Sequence, residues 1–317
     1  MGRLENAKTK EIVFFNSYHQ FGRNTYLCST TLSDGDVSRT HATIFWSDGY
    51  WYIRDHSRNG TFIDGVLISK CCRKIGLNTQ IQFGNVNADK WYVLDTKPPT
   101  NYLRSLTTKN RILPLDSCCA LPNEQQPEIV FYMSENKKWV AESADKKIFL
   151  STGTKFKYRN EEWEFIANEV LTDTLDYDIV FQNACFNICV SANEEDIQLK
   201  LVIDNNEYDF GRRAYNYMLL SLCRKRLDDF KEGVTFADQG WVGTSELEKE
   251  ISKELGFIVD KYYLNLQVFR LRKQIVKMKP YGYLFSEIIE RRTGEIRFAF
   301  PQLKVIKDNI CIGEIEC

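Results

Sequence analysis

The stretch that decides the fold of the amino-terminal part is residues 38–65, SRTHATIFWSDGYWYIRDHSRNGTFIDG. Apolar and aromatic residues dominate two short runs, Thr43–Trp46 and Tyr50–Ile53, which predict β-strands. Asp48-Gly49 separates the runs and Asn59-Gly60 follows them, and both pairs are typical of tight turns. We therefore expect a β-rich fold in which polar clusters lie on loops, where binding residues usually occur.

Polar residues gather in three clusters around this stretch: Gly22-Arg23, Ser38–His41 and Asp55–Gly65, the last of which contains Ser57–Thr61. A phosphorylated side chain offers roughly two negative charges and three strong acceptor oxygens. Arginine matches it with a planar fork of donors, and serine adds a short hydroxyl donor. Asparagine can hydrogen-bond a peptide backbone through both its donor and its acceptor. The clusters therefore indicate a reader of phosphorylated protein and not a catalytic set.

In their order and spacing these clusters resemble the Gly-Arg, Ser-x-x-His and Ser-x-Asn-Gly-Thr motifs of forkhead-associated (FHA) domains. The resemblance covers residues 12–95 and implies a β-sandwich that binds phosphothreonine peptides through loops at one end. It implies phosphate binding by Arg23 and Ser38, with support from Arg39 and Arg58, and peptide-backbone binding by Asn59. By the same resemblance, structural roles in the loops fall to Gly22, His41 and Gly60.

Composition places the chain among folded proteins with more than one domain. It has 317 residues, is 43% hydrophobic and carries a formal net charge of −1. Its ten cysteines contain no Cys-x-x-Cys pair, and none of the three histidines lies at zinc-ligand spacing from them. We therefore expect reduced cysteines, no metal and no cofactor. No apolar run approaches the roughly 18 residues of a membrane span, and the start lacks a signal core, so we expect a cytoplasmic protein.

Changes of pattern along the chain predict four segments. They are an FHA β-sandwich at 1–95, a proline-containing linker at 96–127, a β-rich middle module at 128–196 and a winged-helix-like domain at 197–317. The fold class is therefore multi-domain and mainly β, with an α/β carboxyl-terminal part.

The carboxyl-terminal segment has helical periodicity. Apolar residues predict a helix from Tyr215 to about Asp229. Ser245–Glu248 has the pattern of a capping box that opens a second helix, and Gly256 is a natural stop for it. A third helix is expected after Asp260, with Leu266 and Phe269 as a second packing surface. A β-hairpin should then form around Thr293-Gly294.

This element order resembles the winged helix-turn-helix effector domains of bacterial response regulators. From Lys261 to Lys279 there are six Lys or Arg residues and no acid. The resemblance implies that the third helix enters the major groove of duplex DNA, with wing residues on the backbone. The DNA-contacting residues would be Gln267, Arg270, Arg272, Lys273, Gln274 and Lys277 on the helix, and Arg291 and Arg292 on the wing. Winged helices also serve as protein-docking modules, and that alternative stays open.

Together these patterns predict a non-enzymatic signalling protein of a bacterial Ser/Thr kinase pathway. Its partners would be a phosphothreonine-containing protein, duplex DNA and, in a homo-oligomer, a second copy of the chain. The leading hypothesis is a phosphorylation-responsive, DNA-binding transcription regulator. The alternative is a phospho-dependent adaptor whose winged helix contacts protein.

Overall fold

The computed structural model describes residues 1–168, 177–204 and 206–315. The chain divides into two compact units. The first contains residues 1–114 and the described part of 152–172; the second contains residues 115–151 and the described part of 173–317.

The described strands are β1 (Arg3–Asn6), β2 (Ile12–Phe14), β3 (Tyr18–Gly22), β4 (Thr30–Thr31), β5 (Ala42–Ser47), β6 (Tyr50–Asp55), β7 (Thr61–Ile63), β8 (Val66–Ile68), β9 (Cys72–Ile75), β10 (Gln80–Phe83), β11 (Trp91–Asp95), β12 (Asn101–Ser105), β13 (Ile112–Leu115), β14 (Cys118–Leu121), β15 (Ile129–Met133), β16 (Trp139–Glu142), β17 (Lys147–Leu150), β18 (Lys155–Tyr158), β19 (Glu161–Ile166), β20 (Ala184–Val190), β21 (Ile197–Ile203), β22 (Asn206–Arg212), β23 (Val242–Gly243), β24 (Ile289–Arg292), β25 (Glu295–Phe298), β26 (Leu303–Lys307) and β27 (Ile310–Ile315). The described helices are α1 (Tyr177–Gln182), α2 (Tyr215–Lys231), α3 (Thr244–Leu255) and α4 (Lys261–Val276), followed by a 3-10 turn at Gly282–Phe285.

The first unit is built around two β-sheets. One has the strand order β2-β1-β11-β10-β7-β8 and the other β4-β3-β5-β6-β9. Alternate residues of these strands are buried together, among them Phe21, Ile44, Trp51, Ile81 and Val93. The predicted strands at 43–46 and 50–53 are confirmed, and Asp48, Gly49, Asp64 and Gly65 all have the positive φ of tight hairpin turns.

A smaller sheet completes the first unit, with the order β13-β12-β19-β18. The linker predicted at 96–127 is therefore wrong, because this range contains β12, β13 and β14. Pro114 argued against a strand, but β13 lies at the edge of its sheet, where proline is tolerated. The middle module predicted at 128–196 is also wrong as one body, since β15–β17 belong to the second unit and β18–β19 to the first.

The second unit combines helices with three sheets. Their orders are β14-β15-β16-β17, β22-β21-β20-β26-β27 and β23-β25-β24. Helices α2, α3 and α4 contribute Leu219, Leu247, Val268 and Leu271 to one core that also contains Phe186 of β20. Within residues 1–168, 177–204 and 206–315, no helix has both the length and the apolar character needed to cross a bilayer.

The predicted helices and hairpin of the second unit are present. Asp260 caps α4 by accepting a hydrogen bond from the Tyr263 amide, and Gly256 ends α3 in the left-handed conformation. The capping box predicted at Ser245–Glu248 is wrong. Helix α3 already begins at Thr244, its N-cap is Gly243, and no side chain caps it.

Candidate functional site

The three polar clusters meet at one end of the first unit. The Arg23 amide donates to the Ser38 carbonyl over 3.0 Å, which joins the loop after β3 to the loop before β5. The Arg58 amide donates to the Ser38 hydroxyl oxygen over 3.1 Å, which adds the loop after β6. The structure thus places Arg23, Ser38 and Arg58 around one segment, although they are up to 35 positions apart in sequence.

The Ser38 hydroxyl can donate a hydrogen bond to a ligand. Its oxygen accepts the Arg58 amide, so its own hydrogen remains available for another acceptor. Ser38 is half-buried, and its backbone amide donates to Nδ1 of His41 over 3.1 Å, which fixes the loop at this residue. A hydroxyl held in this way loses little conformational freedom when it meets an anion.

His41 braces the loop that carries Ser38. Its ring is fully buried, with Nδ1 accepting the Ser38 amide and Nε2 lying 3.1 Å from the Gly60 carbonyl. These two contacts require the tautomer in which Nε2 carries the hydrogen. Burial lowers the pKa of His41, although the Gly60 carbonyl and Asp55 oppose that shift. The neutral ring therefore links two of the three loops.

Asp55 organises the third loop, a role that the sequence reasoning missed. Its buried carboxylate accepts hydrogen bonds from the hydroxyls of Ser57 and Thr61 and from the Lys70 amide, over 2.7, 2.8 and 2.9 Å. The Ser57 oxygen in turn accepts the Gly60 amide over 2.7 Å. The sequence signal for this role was Asp55 two residues before Ser57, a spacing that is common in turns.

Two glycines allow the loops to approach so closely. A Cβ at Gly22 would lie 2.3 Å from the Arg39 carbonyl oxygen. Gly60 has φ +81°, and a Cβ there would lie 2.5 Å from Leu67 and 2.8 Å from the Ile68 carbonyl oxygen. A larger residue at Gly22 would separate the loops after β3 and before β5, and one at Gly60 would clash with β8.

The charged side chains of the site remain open. Arg23, Arg39 and Arg58 are exposed, and in the part of the chain that the structure describes none of them forms an ion pair. The Arg23 Nε donates to the Val37 carbonyl, and the Asn59 amide nitrogen donates to the Asp36 carbonyl over 2.9 Å. The side chains of Arg23 and Asn59 are therefore each oriented by one backbone contact and keep further donors free for a ligand.

The residues predicted to contact DNA lie in a different environment. Gln267 and Arg272 of α4 are 1% and 3% exposed. Arg272 donates to the Ser286 carbonyl over 2.8 Å and to both carboxylate oxygens of Glu142 on β16, over 3.2 and 3.3 Å. The guanidinium also lies 4.0 Å from the ring centre of Tyr132. The prediction that Gln267 and Arg272 read base edges is wrong for this arrangement, because neither side chain reaches the surface.

Sheet β14–β17 covers this side of α4. Phe269 packs among Cys118, Val130, Tyr132 and Val140, which confirms the predicted second packing surface for this residue. Burial works to raise the pKa of Glu142, but Arg272 beside it holds that pKa below its usual range. The pair is therefore charged on both partners, and its desolvation is offset by several hydrogen bonds.

The other residues predicted to contact DNA differ in their partners and in their exposure. Lys273 pairs with Glu124, Arg291 donates to Asn265 over 2.6 Å, and Arg292 pairs with Glu295 and lies 4.2 Å from the ring centre of Trp241. Gln274 is half-buried, and only Arg270 and Lys277 of the predicted helix contacts are fully exposed.

Comparison with known proteins gives one family match. The FHA domain model matches residues 19–84. Among solved structures, the FHA domain of a Chlamydia trachomatis protein is 23% identical, with 30% of this chain and 96% of that chain covered and a TM-score of 0.27. An FHA domain from Arabidopsis thaliana is 22% identical, with 31% and 88% covered and a TM-score of 0.27. Mycobacterium tuberculosis EmbR in complex with a low-affinity phosphopeptide is 17% identical, with 31% and 25% covered and a TM-score of 0.27.

No curated protein matches the sequence significantly. The family match spans Gly22-Arg23, Ser38–His41 and Ser57–Thr61 together, which are the clusters that the structure joins at one end of the sandwich. Residues 19–84 of this chain are therefore an FHA domain.

Proposed function

We propose that the chain is a signalling protein that binds phosphothreonine peptides through its FHA loops. The observation that carries this proposal is the cluster of three exposed arginines around a serine hydroxyl whose hydrogen is free. Cations outside ion pairs next to a fixed hydroxyl form a site suited to a dianion. Arg23 and Ser38 would hold the phosphate, and Arg39 and Arg58 would add positive charge at its edge.

Asn59 would bind the backbone of the peptide. Its amide nitrogen already donates to Asp36, which fixes the side chain, while its oxygen accepts no hydrogen bond from the described residues. That oxygen can accept a peptide amide, and the second amide hydrogen can meet a peptide carbonyl. The site therefore recognises both the phosphate and the chain that carries it.

Pull-down from an oriented phosphothreonine peptide library selects the best single peptide, and calorimetry with that peptide then tests this function. The parent chain should bind the phosphorylated peptide and not its bare threonine form. Equal affinity for the two forms would overturn the proposal. A phosphoserine version of the same peptide measures how much the threonine methyl group contributes.

For the carboxyl-terminal part we propose a winged-helix module that contacts protein, so that the whole chain acts as a phospho-dependent adaptor. Burial of Gln267 and Arg272 and the ion pair of Lys273 support this choice, since base readout needs free donors on the surface. The order of three helices and a β-hairpin supports the winged-helix assignment.

DNA-binding transcription regulation is the second candidate, favoured by exposed Arg270 on α4 and exposed Lys277 directly after it. A salt titration of the full chain with duplex DNA separates the two functions. Specific binding through several phosphate contacts should weaken steeply with salt and should decrease in an Arg270→Ala, Lys277→Ala double variant. Absence of salt-sensitive binding would favour the adaptor. In either case we propose that the chain works by binding and not by catalysis, in the cytoplasm of a bacterium.

A further inference from the structure

The outer side of the β4-β3-β5-β6-β9 sheet carries aromatic and basic side chains together. Strand pairing places Tyr18 opposite Phe45, Phe45 opposite Tyr52, and Tyr52 opposite Lys74. These four residues form one row across β3, β5, β6 and β9. Side chains of paired residues point to the same side of a sheet. The alternate residues, such as Ile44 and Ile53, face the core.

Two further residues extend this row along the sheet. Arg54 lies in the neighbouring row, with its guanidinium 5.2 Å from the ring centre of Phe45. Tyr50 lies on the other side, with the Lys74 ammonium 3.0 Å from its ring centre. We call the set of Tyr18, Phe45, Tyr50, Tyr52, Arg54 and Lys74 the basic aromatic face.

Four side chains of this face are exposed, and Phe45 and Tyr52 between them are half-buried. Tyr18 and Tyr50 are 63% and 50% exposed, and Arg54 and Lys74 are also exposed. Neither cation forms an ion pair with any described residue. The acid beside the face is Asp48, which lies at the turn between β5 and β6 and accepts the Ser47 hydroxyl. The face therefore presents positive charge and aromatic surface together.

This combination matches the chemistry of single-stranded nucleic acid. Unpaired bases stack on aromatic side chains that project from a β-sheet, and neighbouring cations meet the phosphates. An acidic peptide would satisfy the cations, but it has no flat groups to stack on a row of rings. The face also lies along the strands, whereas the phosphothreonine loops lie at their ends, so the two ligands would not compete.

We propose that the basic aromatic face of the FHA domain binds single-stranded nucleic acid. Bases would stack on Tyr18, Phe45 and Tyr52, and their phosphates would pair with Arg54 and Lys74. The proposal is independent of the phosphothreonine site and adds a second ligand class to the same domain.

Fluorescence anisotropy of the full chain with labelled 12-nucleotide oligouridine and oligodeoxythymidine tests the proposal. Because a stacked base contributes about 1–3 kcal/mol, Tyr18→Ala should weaken binding roughly 5- to 100-fold. Arg54→Ala should weaken binding and reduce the slope of log K against log salt by about 0.7. Both variants should keep the phosphothreonine affinity of the parent, which shows that the domain is folded.

Arg73→Ala is the matched control. Arg73 is an exposed arginine on the same strand as Lys74, but it pairs with Ile53 and so lies on the opposite side of β9. Its loss should leave oligonucleotide binding unchanged, as should Arg23→Ala in the phosphate loops. The proposal is overturned if neither oligonucleotide binds at low salt, or if Tyr18→Ala binds as the parent does. It also fails if Arg23→Ala removes binding, or if a 12-residue polyglutamate peptide binds more tightly than both oligonucleotides.

Discussion

The loops at the end of the FHA sandwich and helix α4 are both rich in basic residues, yet the fold uses their charges in opposite ways. In the loops, backbone groups brace Ser38, His41 and Gly60, and the guanidinium groups stay exposed. In α4, Arg272 is itself the bracing group, with a carboxylate, a carbonyl and an aromatic ring around it. Basic side chains therefore stay exposed where other groups hold the structure together, and they are buried where they do so themselves.

The largest effect expected from this comparison is on stability. Arg272→Met keeps the volume of the side chain but leaves Glu142 buried without its partner, which should cost about 3–5 kcal/mol of unfolding free energy. Urea denaturation of the full chain, together with hydrogen exchange of α4 and β14–β17, measures this loss. Arg270→Met on the exposed side of the same helix is the control and should change stability by less than about 0.5 kcal/mol.

A second variant sharpens that result. Adding Glu142→Leu to Arg272→Met removes the unpaired carboxylate and should recover a large part of the lost stability. If Arg272→Met were no more harmful than Arg270→Met, the contrast between the two basic regions would disappear.

The next largest effect concerns ligand affinity. Arg23→Ala removes charge-assisted hydrogen bonds of about 1.5–3 kcal/mol each, so phosphothreonine-peptide binding should weaken roughly 10- to 100-fold in calorimetry. Arg23→Lys should recover only part of this, because lysine keeps the charge without the planar fork. The melting temperature should stay that of the parent. An unchanged affinity would remove Arg23 from the site.

Acidification should weaken the first unit through its buried histidines. Burial lowers the pKa of His19 to about 3, and burial also lowers the pKa of His41. The folded state thus favours the neutral rings, whereas the unfolded chain takes up protons below about pH 6.5. Stability is therefore complete above that pH and is lost as the pH falls towards the lowered values, by about 1.4 kcal/mol per pH unit for each histidine.

Urea denaturation of the first unit between pH 7.5 and pH 5 measures this slope. A His56→Gln variant, which changes an exposed ring on the loop after β6, should retain this slope. A midpoint that does not move over this range would show that the two buried rings do not control acid stability.

The smallest expected effect is at Asn59. Asn59→Ala removes neutral hydrogen bonds to the peptide backbone, each worth about 1 kcal/mol, so affinity should fall roughly fivefold. Asn87→Ala, at an exposed asparagine of the loop after β10, should leave the affinity unchanged. A larger loss of affinity for Asn87→Ala than for Asn59→Ala would indicate that the peptide backbone binds at the loop after β10.

The amino-terminal domain was predictable because local chemistry and linked motifs agree. Asp-Gly and Asn-Gly pairs mark hairpin turns from sequence alone, and Gly22 and Gly60 are the residues that a close approach of loops requires. The role of Asp55 needed coordinates, because its partners Thr61 and Lys70 are brought to it by the pairing of strands.

The middle of the chain was not predictable in the same way. Strand β12 pairs with β19 across about sixty residues, and sheet β14–β17 between them packs on α4. Alternation within a short run shows that a strand exists, but it carries no information on which distant strand or helix covers it.

The FHA domain, its turns and the residue types at its loops follow from local sequence, since they depend on backbone conformations and spacings that particular residues impose. Local sequence also determined three helices and a hairpin in the carboxyl-terminal part. Which basic residues stay free, in contrast, depends on long-range packing. That outcome depends on whether a carboxylate such as Glu142 arrives from a remote strand, and the burial of an ion pair is a property of the assembled core and not of the helix that carries it.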